Sequence, residues 1–269
     1  MFSLTVGGLV AAGSLVGIGF ASKTWRERLV DSYLFRPRVP RRLNVRDGFE
    51  KCGKYHYWID RPRQATNLII VYLHGNAESI EDSREYLSRL SSRAILLAPE
   101  YTGYAWTDYA RIQPSVRDTK TACLAILKKI RTKRESVILI GRSIGTGFAC
   151  WLANQLPAGV VTAVILLSPF TSISDLARNL VPCSCASSSL ISERLLNNEC
   201  ELKRIAHTTA ILILHGEDDD IVPARHSRKL YKSLLSQHHP DVQLVIRPGE
   251  HHNNLQSLPI VSDLIHNLQ

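Results

Sequence analysis

Three short motifs contain the residue types that nucleophilic catalysis requires. A serine stands between glycines in GRSIG at residues 141–145. Three consecutive aspartates occupy residues 218–220, and two consecutive histidines occupy residues 251–252. A serine hydroxyl becomes a nucleophile when a histidine accepts its proton and a carboxylate orients that histidine. These motifs therefore predict acyl-transfer chemistry, provided that the fold brings them together.

Ser143 is the predicted nucleophile. The apolar run SVILI at residues 136–140 predicts a strand that leads directly into Gly141, and a helix is expected to begin near Thr146. A serine on such a sharp strand-to-helix turn is held at the edge of the sheet, beside a helix N-terminus that favours negative charge. The alternative is a glycine-rich turn with a helix-capping serine.

The segment HGNA at residues 74–77 follows another apolar run and is the candidate oxyanion loop. Two backbone N–H groups are needed to stabilise the oxyanion of a tetrahedral intermediate. We expect them to belong to Asn76 and to Ile144, the residue after the nucleophile. A simple turn that ends a strand is the alternative, because Gly and Asn also favour turns.

The elements that must hold these motifs alternate along the chain. Apolar strand-like runs are followed by amphipathic stretches of helical length, and continuous apolar strands predict a mostly parallel sheet with helices on both faces. The predicted strands span residues 55–59, 67–73, 94–98, 136–140, 160–167, 210–214 and 242–246, and the predicted helices span 79–91, 114–131 and 255–268. Each motif follows a strand, and ligands of such sheets bind at the carboxyl ends of the strands.

The N-terminus has a different character. Residues 2–21 contain no charge and would form a helix of about 30 Å, the thickness of a bilayer's hydrocarbon core. Basic residues are concentrated directly after this run, between residues 23 and 46. The positive-inside rule therefore predicts a single-pass membrane anchor with the remaining chain in the cytosol. A cleaved signal peptide is the alternative, because residues 19–21 resemble a cleavage site.

Composition narrows the function classes. The 269-residue chain is 45% hydrophobic, which suits one large α/β domain. Its net charge of +9 derives largely from the basic stretch near the apolar run, so we expect contact with anionic lipid headgroups and no nucleic-acid partner. The six cysteines include no CxxC pair and no Cys/His cluster with zinc spacing, and we expect neither a metal nor a cofactor.

Several motifs together resemble the α/β-hydrolases of the bud-emergence-protein and protein-depalmitoylase branch, which are often labelled serine-aminopeptidase-like. The resemblance covers the chain from about Leu34 onward, and Ser, Asp and His follow one another in the α/β-hydrolase order. It rests on HGNA (74–77), EYTGYA (100–105), GRSIGTG (141–147), LSPF (167–170), HGEDDDIVP (215–223) and GEHHN (249–253). The resemblance implies that Asp219 is the acid and His252 is the base, and it supports Asn76 at the oxyanion position. It also implies a small lid within residues 171–199.

The expected protein is thus a membrane-anchored serine hydrolase with an α/β-hydrolase fold. We predict an apolar anchor at residues 1–22, a basic linker at 23–50 and the hydrolase domain at 51–269. The substrate class is an acyl ester or thioester, and the resemblance implies a lipid or a palmitoylated protein as its source. Two alternatives remain: a serine peptidase, and a catalytically inactive membrane scaffold with the same fold.

Overall fold

A computed structural model of the chain describes residues 48–64, 66–90, 93–104, 113–132, 134–180 and 195–268, together with positions 31, 34, 35 and 37. No helix within these ranges combines the length and apolar character needed to cross a bilayer. The predicted anchor lies outside the described residues, as does most of the basic linker. The proposed domain boundaries therefore stay predictions.

The described residues form one mixed, mostly parallel sheet. Its strands are β1 (Phe49–Cys52), β2 (Tyr55–Asp60), β3 (Leu68–Leu73), β4 (Ile95–Pro99), β5 (Ser136–Arg142), β6 (Val161–Leu167), β7 (Ala210–Gly216) and β8 (Val242–Arg247). Their order across the sheet is β1-β2-β4-β3-β5-β6-β7-β8. Strand β2 is antiparallel to β1 and β4, and all other neighbours are parallel.

Helices cover both faces of this sheet. They are α1 (Ile80–Ser88), α2 (Val116–Ile130), α3 (Ile144–Ala153), α4 (Ile173–Leu180), α5 (Asn198–Leu202), α6 (Arg225–Ser236) and α7 (Leu258–Asn267). Side chains of α1 and α7 pack into one core cluster, and those of α2, α3 and α6 pack into the other. Because successive residues of a strand face opposite sides, an uninterrupted apolar strand contributes to both clusters.

Strand β3 illustrates this double burial. Ile69 and Val71 belong to one cluster, whereas Ile70 and Tyr72 belong to the other, and each is at most 2% exposed. The predicted α/β-hydrolase architecture, with a mostly parallel sheet between two helical layers, is confirmed in this respect. The apolar runs predicted this architecture, because a strand that is covered by helices on both faces gains stability from apolar side chains at every position.

The strand register brings the motifs to one edge of the sheet. Leu73 at the end of β3 pairs with Gly141 of β5, and Arg142 pairs with Leu167 of β6. Farther along the sheet, the end of β7 pairs with the end of β8. The loops that follow these strands therefore leave the sheet side by side, at the carboxyl edge where parallel sheets bind ligands.

Some local features differ from expectation. Strand β1 was not predicted, because FEKC is short, carries charges and lies at the sheet edge. Helix α6 was also missed. Pro114 was expected in the first helical turn, but it precedes Ser115, whose side chain caps α2 by accepting from the Asp118 N–H.

Upstream of β1, within the predicted linker, the described residue Phe35 is buried and its ring lies 6.5 Å from that of Phe148.

The predicted lid lies only partly within the described residues. Residues 181–194 lie outside them, and so do the side chains of residues 177–180. The two ends of the segment are joined by an antiparallel bridge between Ser172 and Asn197. The Ile173 N–H donates to the Leu196 carbonyl, and the Glu199 N–H donates to the Thr171 carbonyl. The described ends of the segment therefore lie side by side, while a small lid stays a prediction.

Candidate active site

Ser143 lies on a tight turn between β5 and α3. Its φ of 51° and ψ of −118° are uncommon for a residue with a side chain. The turn requires glycine at both flanks. A Cβ on Gly141 would lie 2.6 Å from the Gly145 carbonyl oxygen, and a Cβ on Gly145 would overlap the Leu73 carbonyl of β3. The two glycines therefore let the turn pack against the sheet, and the serine is left half-buried at its edge.

Replacing Gly145 by Ala tests this packing. The new methyl group would collide with backbone atoms of Leu73 and His74, which cannot rotate away as a side chain can. We expect Gly145→Ala to lower the free energy of unfolding by about 3 kcal/mol, at the upper end of the usual cost of overpacking. Urea unfolding followed by circular dichroism measures the change. Gly159→Ala is unsuitable as a control, because Gly159 has φ of 81° and any side chain there is strained. The control is Ala153→Gly in α3, which destabilises the helix without adding atoms that could collide.

Ser143, His252 and Asp219 form a continuous hydrogen-bonded chain. His252 Nε2 lies 3.0 Å from Ser143 Oγ, and His252 Nδ1 lies 2.7 Å from Asp219 Oδ2. An ionised carboxylate only accepts hydrogen bonds, so Nδ1 carries the proton and donates it to Asp219. Nε2 is then left to accept from the Ser143 hydroxyl. This tautomer is the one in which a histidine can remove a proton from serine.

Asp219 is held by donors on both carboxylate oxygens. Oδ1 accepts from the N–H groups of Ile221 and Val222 at 3.0 and 2.7 Å. Oδ2 accepts from His252 and lies 3.2 Å from Nε2 of the buried His215. Burial acts to raise the pKa of Asp219, but hydrogen bonds from His215, His252 and a backbone N–H outweigh it and hold that pKa well below its usual value. The carboxylate is therefore ionised at neutral pH.

The neighbouring acids and the second histidine occupy different positions. Asp218 and Asp220 are exposed, whereas Asp219 is 5% exposed. His251 is also exposed, and its Nδ1 lies 2.7 Å from the Asp218 carbonyl oxygen. The structure thus brings the predicted acid and base to Ser143, and it directs their sequence neighbours elsewhere.

The two predicted oxyanion donors lie on adjoining backbone segments. Ile144 is the first residue of α3, so its N–H has no acceptor within the helix. Asn76 lies in the β3–α1 loop (residues 74–79). Tyr104 Oη lies 2.8 Å from both the carbonyl and the side-chain oxygen of Asn76. A Cβ on Gly75 would lie 3.8 Å from the Arg142 carbonyl oxygen, which places this loop directly beside the turn that carries Ser143.

Three groups around the site were missed by the sequence analysis. The single Nε2–H of His215 is shared between the Val222 carbonyl oxygen at 2.7 Å and Asp219 Oδ2 at 3.2 Å, and its Nδ1 lies 2.6 Å from Ser227 Oγ, so His215 helps to hold the Asp219 loop. Tyr104 contacts Asn76, and an ion pair joins Arg142 to Glu78. His215, Tyr104 and Arg142 stand inside the quoted motifs. Their positions were therefore visible in the sequence, but their contacts were not.

A family model described as Serine hydrolase (FSH1) matches residues 57–253, which include every strand from β3 to β8 and the Ser143–His252–Asp219 chain. The chain belongs to the FSH1 serine hydrolase family. The prediction of a serine hydrolase of the α/β-hydrolase superfamily is thereby confirmed.

Curated relatives of this hydrolase include two mammalian proteins. Human protein ABHD12B is 29% identical over 231 residues, which cover 79% of this chain and 63% of that protein. The lysophosphatidylserine lipase ABHD12 of Bos taurus is 29% identical over 201 residues, which cover 66% of this chain and 48% of the lipase. The chain therefore matches less than two thirds of the length of either relative.

Solved structures support the fold independently. Est1E from Butyrivibrio proteoclasticus superimposes with a TM-score of 0.59 at 17% identity, covering 82% of this chain and 96% of Est1E. Mouse alpha/beta hydrolase domain-containing protein 10 gives a TM-score of 0.56 at 19% identity, covering 82% of this chain and 98% of the mouse protein. At these identities the likeness establishes the α/β-hydrolase fold alone.

Proposed function

We propose that this chain is a membrane-anchored serine hydrolase that cleaves acyl esters or thioesters through a Ser143–His252–Asp219 triad. The observation that carries the proposal is the pair of contacts made by His252, at 3.0 Å to the Ser143 hydroxyl and 2.7 Å to the Asp219 carboxylate. Membership of a serine hydrolase family agrees with it.

The proposed reaction follows from the protonation states. His252 Nε2 accepts the Ser143 proton as Oγ attacks the carbonyl carbon of the substrate. The N–H groups of Asn76 and Ile144 stabilise the oxyanion, and Asp219 stabilises the imidazolium that forms. The imidazolium then protonates the leaving alcohol or thiol, which leaves an acyl-enzyme. Water attacks the acyl-enzyme, with His252 again accepting a proton.

A lipid ester is the substrate class that the bovine relative favours. That relative is by name a lysophosphatidylserine lipase, which lends weight to an ester over an amide. The uncharged residues 2–21 and the basic residues that follow supply the second argument. An anchor of this kind would hold the site close to lipid acyl chains and to anionic headgroups. A palmitoylated protein would present the same acyl group as a thioester.

The test uses the full-length purified chain in detergent or vesicles. Labelling by a fluorophosphonate probe first reports whether Ser143 is an activated nucleophile, with Ser143→Ala as the negative control. A panel of monoacyl glycerophospholipids, an S-palmitoyl peptide and a peptide p-nitroanilide then compares leaving groups. We expect the ester or the thioester to be hydrolysed far faster than the anilide. Retention of the chain by the vesicles after alkaline carbonate washing tests the anchor.

Each arm of this experiment has a result that contradicts the proposal. Well-folded wild-type protein that neither reacts with the probe nor cleaves any substrate would favour the inactive-scaffold alternative. Faster cleavage of the anilide would favour the peptidase. Release of the chain by carbonate would remove the anchor from the proposal and leave the hydrolase intact.

A further inference from the structure

Arg142 lies directly before Ser143, and its side chain contacts both of the loops that flank the Ser143 turn. Its Nη1 donates to Glu78 Oε1 in the β3–α1 loop. Its Nη2 donates to the His252 carbonyl oxygen at 3.2 Å, in the loop of residues 248–257 that we call the histidine loop. One planar guanidinium group therefore bridges segments that are 64 and 110 residues away in sequence.

Glu78 continues this connection into the β3–α1 loop. Its Oε2 accepts from the Gly75 N–H at 2.6 Å and from the Tyr72 hydroxyl at 3.2 Å. The Glu78 backbone N–H donates to the Gly75 carbonyl oxygen at 3.2 Å. Glu78 is thus hydrogen-bonded to both the backbone N–H and the backbone carbonyl of Gly75.

The orientation of Gly75 decides the direction of the proposed oxyanion donor. The Gly75 carbonyl and the Asn76 N–H belong to the same planar trans peptide, so they point in opposite directions. The Gly75 carbonyl is held by Glu78 and lies 2.9 Å from Nδ1 of the buried His74. Fixing that carbonyl therefore fixes the direction in which the Asn76 N–H points.

The ion pair is sheltered without being fully buried. The side chain of Arg142 is 26% exposed and that of Glu78 is 16% exposed. A pair of this kind is weak evidence for a contribution to overall stability, because desolvation offsets much of the attraction between the charges. The position of the pair is more informative than its energy. It connects the histidine loop, the Ser143 turn and the β3–α1 loop, which carry the proposed base, the proposed nucleophile and one proposed oxyanion donor.

We propose that Arg142 and Glu78 are positioning residues that hold the histidine loop and the β3–α1 loop in register with Ser143. The proposal rests on the proposed function, since it defines their role relative to Ser143 and His252. Neither side chain exchanges a proton or binds substrate. Misplacement of reacting groups by about 1 Å costs roughly 10²-fold in rate, so loss of the bridge is expected to act on kcat.

The test measures steady-state hydrolysis of a small uncharged ester, p-nitrophenyl butyrate, by Arg142→Lys, Glu78→Gln and the double variant. Lysine keeps the charge but cannot contact both loops, and glutamine keeps the shape but loses the charge. We expect kcat to fall about 10- to 100-fold in each single variant, with KM changed less than about twofold. The double variant is expected to be no slower than the slower single variant, because both changes break the same bridge.

Chemical rescue separates positioning from a purely structural role. In Arg142→Ala the space of the guanidinium group is vacated, and added guanidinium ion at millimolar concentration is expected to restore part of kcat. Thermal unfolding measured alongside is expected to stay within a few degrees of wild type. The matched control is Arg61→Ala, which removes an Arg–Glu pair with Glu50 at the sheet edge, where Arg61 is 52% exposed. It is expected to keep the wild-type kcat and to show no response to guanidinium.

The outcomes distinguish this proposal from the proposed function. Wild-type protein that is not labelled by a fluorophosphonate would overturn the proposed function. An active wild type, an inactive Ser143→Ala and full kcat in both Arg142→Lys and Glu78→Gln would overturn the positioning role alone. A rise in KM that is confined to anionic lipid substrates would also overturn it, because Arg142 would then be binding substrate.

Discussion

Ser143→Ala is expected to lower kcat for ester hydrolysis by roughly 10⁶-fold, the loss seen when the nucleophile of a serine triad is removed. The hydroxyl is the only group of Ser143 that reaches His252 Nε2, at 3.0 Å. The backbone of the turn should be unaffected, because Ala and Ser have the same restriction at φ of 51°. The measurement is pre-steady-state and steady-state hydrolysis, with circular dichroism to verify folding.

A matched control uses another serine of the same chain. Ser236 lies at the exposed end of α6, where its hydroxyl donates to the Ser233 carbonyl. Ser236→Ala is expected to keep wild-type kcat and full fluorophosphonate labelling. Residual activity of Ser143→Ala above about one hundredth of wild type would contradict the assignment of the nucleophile, given the roughly 10⁶-fold loss expected.

Asp219→Asn is expected to lower kcat by about 10⁴-fold while leaving KM nearly unchanged. Because Oδ1 of Asp219 receives two backbone N–H groups, the amide oxygen of asparagine must take that place. The amide NH₂ then faces His252 Nδ1 and donates to it. His252 would carry its proton on Nε2, toward Ser143, and would be unable to accept the serine proton.

Asp220→Asn supplies the control for this substitution. Asp220 is adjacent in sequence and has the same chemistry, but it is exposed. We expect its kcat to stay within about twofold of wild type, as is usual for a surface substitution of this kind. Equal losses in Asp219→Asn and Asp220→Asn would show that the general charge of the loop matters, and they would contradict the role of Asp219 as the orienting acid.

The fold was largely predictable from the sequence because its signals are local. Strand β5 appears as SVILI, and its residues 137–140 are completely buried between two helical layers. Such a short apolar run, bounded by glycine and by amphipathic stretches, predicts a buried strand rather than a helix. Strand β1 was not predictable in the same way. FEKC gains its stability from pairing with β2, and no hydrophobic pattern of its own distinguishes it from a loop.

The composition of the candidate site was also predictable, but its geometry was not. Chemistry alone left three aspartates and two histidines open, and the resemblance to a family pointed to Asp219 and His252. The structure gives the physical difference between them. Asp219 is buried and receives donors on both oxygens, whereas Asp218 and Asp220 face solvent.

Local sequence patterns were sufficient to predict a mostly parallel sheet and the strand-to-helix turn at Ser143, because hydrophobic periodicity and glycine spacing act over a few neighbouring residues. The bridge from Arg142 to Glu78 and the His252 carbonyl, and the contact of His215 with Asp219, arise from the folded arrangement and have no local signature. The first of these contacts joins loops that are distant in sequence. Both depend on side-chain directions and on strand register, because the register of the parallel strands brings the loops that follow them to one edge of the sheet.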